Sequence, residues 1–190
     1  MNIVVKPFGT DFCHCRPDTT WEKENRDIYI PEVASRVSWT PVLFARISKA
    51  GKCIGEKFAS RYYDSFNYGM LIYCHPEDAK AAEDTAICSC FDHSSLLPAP
   101  MYNPVVMEES GNEFHLSRNG CEIFATKTDG AVIMLEDAIC TASRTTSLRI
   151  GDIVAVERAP RVPLASRAEG EAELKATFCR NELFSLKVIF

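Results

Sequence analysis

The stretch Ser38–Arg46, which reads SWTPVLFAR, is the most informative part of this chain. It runs into Ile47, and the segment Val42–Ile47 is mostly apolar. A strand that is covered on both faces has this composition, so the pattern predicts a buried strand. Residues two apart in a strand point to the same face, so Thr40 and Val42 would face one side together. Neither of them carries an acidic side chain.

Composition bounds the class of protein. The 190 residues carry 21 Lys and Arg against 26 Asp and Glu, a formal net charge of −5 at pH 7. This balance gives no reason to expect duplex nucleic acid or an anionic membrane as a partner. No run of about 18 apolar residues is present, so no membrane-spanning helix is predicted. The length predicts a single domain over residues 1–190.

The nine cysteines are odd in number, and Met1–Gly9 is too short to be a secretory signal. We therefore expect reduced thiols in a cytoplasmic protein rather than a disulfide framework.

The rest of the sequence predicts an α+β protein that is mostly β. Asn119-Gly120 is a strong hairpin signal, because both residues tolerate the positive φ of a two-residue turn. Apolar residues at helical spacing predict two helices, at Glu56–Tyr63 and Ile133–Ser143, and Ala159–Ala168 is predicted to be a loop. Strands are predicted at Ile3–Val5, Asp11–Cys15, Asp27–Ile30, Phe66–Cys74, Glu113–Ser117, Cys121–Thr126, Ile153–Val156, Ala172–Phe178 and Phe184–Phe190.

Several segments carry recognisable patterns. Arg16–Thr19 reads RPDT and is followed by the strand-like Ile28–Pro31. Arg46–Asp64 contains a turn and ends in Tyr-Tyr-Asp, and Ser147–Ile153 reads SLRIGDI after the second predicted helix. In this order and spacing the segments resemble the fumarylacetoacetate hydrolase family, over nearly the whole chain from Arg16 onwards. The resemblance implies the family's β-roll of largely antiparallel strands and a homodimer.

The resemblance also implies a reaction. Members of the family cleave or decarboxylate β-dicarbonyl or 2-oxo acids, with Mg²⁺ or Mn²⁺ as a Lewis acid that stabilises the enolate. Such hard cations need oxygen ligands, chiefly carboxylates. The family's metal-binding carboxylates fall at Thr40, Val42 and Leu71, so we expect no metal cofactor. The segment 1–15 is also too short for the family's Arg-Asn-Tyr-x-x-His lid, which supplies a general base.

Other family motifs depart in the same way. The lysine that precedes the family's Phe-Asp-Gly falls at Ser89, and Val156-Glu157-Arg158 replaces a Thr-Gly-Thr motif. Asp92 could be a pocket acid or could bond its own backbone in a turn. Glu157 and Arg158 could bind a polar ligand at the pocket mouth or form a solvated ion pair. The pocket candidates are His75, Asp78, Ser89, Asp92, His93, Glu157 and Arg158.

Cysteine and histidine suggest another chemistry. Soft ligands suit zinc, which takes four tetrahedral donors, and five such residues would lie near the pocket in this fold. The C-x-C spacing differs from the C-x-x-C of common zinc modules, and buried cysteines also act as small core hydrophobes. The candidate zinc ligands are Cys74, His75, Cys88, Cys90 and His93.

The sequence therefore favours a pseudoenzyme of this family that binds a small molecule or a partner protein. Two alternatives stay open. One is an active hydrolase or decarboxylase of a 2-oxo or β-dicarbonyl acid with a relocated site. The other is a thiol- or zinc-based binding module.

Overall fold

The computed structural model describes residues 1–77, 84–109 and 111–190. The two α-helices in this part of the chain are α1 (Thr85–Cys88) and α2 (Ala131–Thr145), with 3₁₀ helices at Asp18–Thr20, Glu56–Arg61 and Pro104–Met107. In chain order the strands are β1 (Ile3–Lys6), β2 (His14–Arg16), β3 (Trp21–Glu22), β4 (Ile28–Tyr29), β5 (Ala34–Ile47), β6 (Tyr63–Pro76), β7 (Ser95–Leu96), β8 (Glu113–Arg118), β9 (Cys121–Lys127), β10 (Ile153–Glu157), β11 (Val162–Ser166), β12 (Glu171–Phe178) and β13 (Asn181–Ile189).

The strands form two sheets, which confirms the prediction of a mostly β, α+β protein. The larger sheet has the order β2-β1-β10-β5-β6-β7-β3, with β11 paired to β5 beside β10. The smaller sheet has the order β4-β13-β12-β8-β9. Most neighbours are antiparallel, while β1–β10, β3–β7 and β4–β13 are parallel.

None of the helices in the described ranges has the length and apolar character that a bilayer crossing requires.

Alternate residues of β5 belong to two different cores. Leu43 and Ile47 pack in the large cluster that also contains residues of the smaller sheet and α2. Val42 and Phe44 pack in a second cluster on the opposite face of the larger sheet. Because both faces are covered, the strand shows no polar alternation. Each buried Val or Leu contributes about 1.5–3 kcal/mol, and the prediction of a doubly covered strand is confirmed.

The hairpin and the long helix form where the sequence predicts them. Asn119 and Gly120 have φ values of 50° and 76°, the positive values that a two-residue turn between β8 and β9 requires. Helix α2 buries Leu135 and Ile139 on the face turned toward the core.

Two predicted elements differ from the structure. The short helix predicted at Glu56–Tyr63 is present, but it is a 3₁₀ helix over Glu56–Arg61 that buries only Ala59, because so little apolar surface does not hold a longer α-helix in place. The predicted loop Ala159–Ala168 contains β11, whose first residues are exposed. With one shift of register against β5, this strand has no regular alternation that the sequence could reveal.

Candidate functional site

The three positions that the resemblance assigns to metal ligands lie together. Thr40 and Val42 point to the same face of β5, and Leu71 of β6 lies directly opposite Thr40. All three side chains are fully buried. Thr40 Oγ1 donates to the carbonyl of Ala159 at 2.7 Å, while Val42 and Leu71 belong to the apolar cluster. We call the face that carries these three residues the site face.

A buried tyrosine–glutamate pair lies beside them on the site face. Tyr73 follows Leu71 by two residues, and Glu157 of β10 lies opposite Val42. The Tyr73 hydroxyl donates to Glu157 Oε1 at 2.6 Å, and the Phe8 N–H donates to Oε2 at 3.0 Å. Burial raises the pKa of the Tyr73 hydroxyl, so this group stays protonated and acts as a donor.

Two guanidinium groups stack on the ring of Tyr73. Arg161 Cζ lies 3.8 Å from the ring centroid and Arg16 Cζ lies 4.9 Å from it, which is the range of cation–π contacts. Arg161 Nε also donates to Glu157 Oε1 at 3.1 Å. Around Tyr73 there are therefore two cationic side chains, Arg16 and Arg161, and one carboxylate, that of Glu157.

Arg16 is the buried member of this group, with 2% of its surface exposed. Its Nη2 donates to the Ile72 carbonyl at 2.7 Å and to Ser94 Oγ at 2.8 Å, and its Nε donates to the Ser89 carbonyl at 3.1 Å. Its Nη1 has no partner among the described residues. Burial lowers the pKa of Arg16, as expected for a cation whose hydrogen-bond partners are all neutral.

His14 of β2 completes the polar part of the site face. Its ring centroid lies 6.4 Å from that of Tyr73, and neither ring nitrogen has a partner within the described ranges. Burial, and then the nearby Arg16 and Arg161, lower the pKa of His14 to about 4. The imidazole is therefore neutral at physiological pH.

The site face leads to a cavity of about 600 Å³ beside β11. Arg36, Ser38, His75 and Arg161 contribute to its lining. Ser38 Oγ and His75 Nε2 are 2.7 Å apart, and His75 Nδ1 lies 3.7 Å from Cys88 Sγ. The pocket candidate His75 is thus part of a polar wall.

Other pocket candidates lie elsewhere. Asp92 and His93 line a separate surface cavity of about 820 Å³ together with Glu22, and His93 Nδ1 is 2.8 Å from the Glu22 carboxylate. Ser89 is buried, and its hydroxyl donates to the Ala86 carbonyl at 3.2 Å. Asp78 lies outside the described residues.

The expected solvated Glu157–Arg158 ion pair is wrong. Glu157 is 2% exposed and pairs with Arg161. Arg158 lies on the opposite face of the sheet, because successive strand residues alternate. There it donates to Met134 Sδ and, at 3.2 Å, to Thr126 Oγ1.

Of the candidate zinc ligands, only His75 and Cys88 approach each other, with Nδ1 and Sγ 3.7 Å apart. Cys74 and His75 are adjacent on β6 and face opposite sides, so Cys74 belongs to the large core. Cys90 Sγ bonds the Ala86 carbonyl, and His93 pairs with Glu22. In the part of the chain that the structure describes, no three His, Cys, Asp or Glu side chains are placed to hold a metal ion.

The donor set at the predicted metal positions does not fit Mg²⁺ or Mn²⁺. These ions take several oxygen ligands, chiefly carboxylates, whereas Val42 and Leu71 offer none. The Thr40 hydroxyl already donates to a carbonyl. Glu157 is a carboxylate on this face, but it already accepts from Tyr73, Arg161 and the Phe8 N–H.

Sequence reasoning did not assign a site role to Tyr73, Arg16, His14, Ser38 or Arg161. The signal for Tyr73 and Ser38 was available, because each stands two residues from an assigned position and so shares its face. Arg161 could not be found, since its segment was predicted to be a loop.

Comparisons with known proteins address the fold. No family model matches the sequence, and no curated protein matches it significantly. Solved structures do match. One is a Yersinia pestis CO92 protein described as belonging to the fumarylacetoacetate hydrolase family, with a TM-score of 0.79 and 16% identity, over 99% of this chain and 92% of that chain.

This chain has the fumarylacetoacetate hydrolase fold. Fumarylpyruvate hydrolase from Pseudomonas aeruginosa, solved in complex with Mn²⁺ and pyruvate, gives a TM-score of 0.78 at 15% identity, over all of this chain and 90% of that chain. The 5-carboxymethyl-2-hydroxymuconate delta-isomerase from Mycobacterium smegmatis gives 0.76 at 14% identity, over 99% of this chain and 78% of that chain. The fumarylacetoacetate hydrolase fold predicted from the sequence is confirmed.

Proposed function

We propose that the protein is a member of the fumarylacetoacetate hydrolase family that binds a small molecule without the family's metal-dependent chemistry. The observation that carries the proposal is the replacement at Thr40, Val42 and Leu71. Three positions that share one face offer one engaged hydroxyl and two aliphatic side chains. A Lewis-acid cation at this place would have lost its oxygen ligands.

Loss of the cation removes the group that would stabilise a developing enolate. Such electrostatic stabilisation is commonly the largest single contribution to a rate enhancement. The Tyr73 hydroxyl and the Arg161 guanidinium do not replace it, because both are engaged by Glu157. The geometry therefore supports binding rather than cleavage of a carbon–carbon bond.

A binding role is supported by the polar part of the site face. Arg16 and Arg161 lie against the ring of Tyr73, and the carboxylate of Glu157 pairs with Arg161. A cavity of about 600 Å³ adjoins Arg161, which is within the ordinary range of ligand pockets. A chain that kept the fold only as a frame would be expected to fill this face with apolar side chains throughout.

Calorimetry and turnover test the proposal together. The protein is titrated with MnCl₂ and is assayed with fumarylpyruvate and oxaloacetate, beside the Pseudomonas aeruginosa fumarylpyruvate hydrolase as the positive control. We expect no binding heat above dilution and no turnover above the buffer blank. Stoichiometric Mn²⁺ binding, together with turnover that EDTA abolishes, would show that the protein is an active enzyme with a relocated site.

A further inference from the structure

The cavity beside β11 is rich in arginine. Its lining includes Arg36, Arg118 and Arg161, with Ser38 and His75 on one wall. We call it the arginine cavity. It lies at the end of the site face, where β11 replaces β10 as the neighbour of β5.

Two of the three arginines are paired with carboxylates, one of them Glu169, which also lines the cavity. Arg118 Nη2 lies 3.1 Å from the Glu169 carboxylate, and Arg161 Nη2 lies 3.1 Å from that of Glu157. Arg36 has no carboxylate partner among the described residues, and its side chain is exposed. One guanidinium in the cavity is therefore available to an anion, with its five N–H donors in a planar fork.

Neutral side chains beside Arg36 limit which ligands the cavity can hold. Ser38 follows Arg36 by two residues on the same face of β5, and its hydroxyl lies 2.7 Å from His75 Nε2. Val162, Pro163 and Leu164 of the neighbouring strand β11 also line the cavity. The lining therefore combines guanidinium groups with apolar residues, and the volume of about 600 Å³ exceeds what an inorganic ion fills.

We propose that the arginine cavity binds a small organic monocarboxylate, and this proposal rests on the proposed binding function. The carboxylate accepts hydrogen bonds from the Arg36 guanidinium, which can hold both carboxylate oxygens. The Ser38 hydroxyl, held by His75, borders the same end of the ligand. The apolar body of the ligand lies against Val162 and Pro163 of β11. Inorganic phosphate is also an anion but lacks that body, so it binds more weakly.

Titration with hexanoate tests this site, with hexanamide as the neutral ligand of nearly the same shape. The wild-type protein is expected to bind hexanoate, and hexanamide at least ten-fold more weakly. Arg36→Gln is expected to weaken hexanoate binding on the order of ten- to a hundred-fold, because a hydrogen-bonded charge pair is lost. The exposed Arg149→Gln serves as the matched control and should bind as the wild type does.

The outcomes separate this site from the proposed function. Unchanged hexanoate affinity in Arg36→Gln, equal binding of hexanamide, or tighter binding of inorganic phosphate overturns the monocarboxylate site. Absence of hexanoate binding by the wild type overturns it as well. If Mn²⁺ binds and supports turnover while Arg36→Gln still loses hexanoate, the metal-free function fails and the carboxylate site stands. If neither Mn²⁺ nor hexanoate binds, the carboxylate site fails and the metal-free assignment stands.

Discussion

His14 shows how strongly the polar part of the site face constrains single side chains. Its ring is half-buried, and neither nitrogen has a hydrogen-bond partner among the described residues. Two arginines, Arg16 and Arg161, disfavour a third positive charge at this place. Protonation of His14 would add a cation to a group that holds one carboxylate, Glu157. The neutral form of the imidazole is therefore part of what allows the face to pack.

The low pKa of His14 predicts acid sensitivity. The pKa is about 4 in the folded protein against 6.5 for an ordinary histidine, so the unfolded chain binds the proton more readily. Stability is unaffected above pH 6.5, falls as the pH drops below 6.5, and stops changing on this account below about 4. Between pH 7 and 4.5 we expect a loss of roughly 2–3 kcal/mol from His14 alone.

Urea unfolding of the wild type and of His14→Phe at pH 7, 5.5 and 4.5 measures this loss. The free energy of unfolding should fall more steeply with acid in the wild type than in His14→Phe, by that amount. His115→Gln is the control, because the more exposed His115 lies in the smaller sheet between two glutamates. Parallel pH profiles for the wild type and His14→Phe would contradict the prediction.

At the level of strands and helices, local pattern decided what could be predicted. The hairpin at Asn119-Gly120, helix α2 and the β12–β13 pair each carry a strong periodic or turn signal, and each forms where the sequence predicts it. Strand β5 could be predicted only in its apolar half, Val42–Ile47, although it begins at Ala34. Strand β11 could not be predicted, because it is defined by its pairing with β5 and lacks alternation of its own.

The same limit applies to the site. Spacing alone placed Thr40 and Val42 on one face, and the family resemblance added Leu71 across the sheet. The contacts of Arg16, which joins β2 to Ile72, Ser89 and Ser94, depend on long-range packing. No local pattern in the sequence encodes such contacts, so the polar group around Tyr73 emerged only in the folded chain.

The segment Ser95–Leu97, which contains the neighbouring strand β7, comes so close to Gly69 of β6 that a side chain has no room there. Gly69 lies opposite Val42, and a Cβ built on Gly69 would lie 2.3 Å from the Leu96 carbonyl oxygen. We expect Gly69→Ala to lower the free energy of unfolding by about 1–3 kcal/mol or more, because backbone must move to make room. Urea unfolding measures the change.

Gly55→Ala is the matched control for Gly69→Ala. Its φ of −82° suits any residue, and an added Cβ would meet only Phe58 at 3.9 Å. This variant is expected to be neutral or more stable by about 0.4–1 kcal/mol, since alanine restricts the unfolded chain. Equal stabilities of the two variants would show that the segment Ser95–Leu97 moves aside without cost.

In the molecule as a whole, the fold and the chemistry depend on different sets of residues. At 14–16% identity it keeps the fold of hydrolases and an isomerase over nearly its full length. Many sequences satisfy the apolar pattern that builds two packed sheets, so the frame tolerates wide change. Chemistry depends instead on a few side chains placed on that frame. At Thr40, Val42 and Leu71 the side chains are fully buried and contribute to packing.

Stability without a divalent cation is the consequence for the whole molecule. A protein that binds Mn²⁺ in the folded state gains about 2.7 kcal/mol when the free ion is at a hundred times its Kd. For a chain of this length that gain corresponds to roughly 5–11 °C in Tm. We expect the Tm of this protein to be the same in MnCl₂, in MgCl₂ and in EDTA, because its buried Val42 and Leu71 offer the ion no ligands.

The Pseudomonas aeruginosa fumarylpyruvate hydrolase, which was solved with Mn²⁺, is the control and should lose several degrees in EDTA. A Tm of this protein that rises with MnCl₂ and falls on chelation would mean that another part of the fold supplies a carboxylate cage.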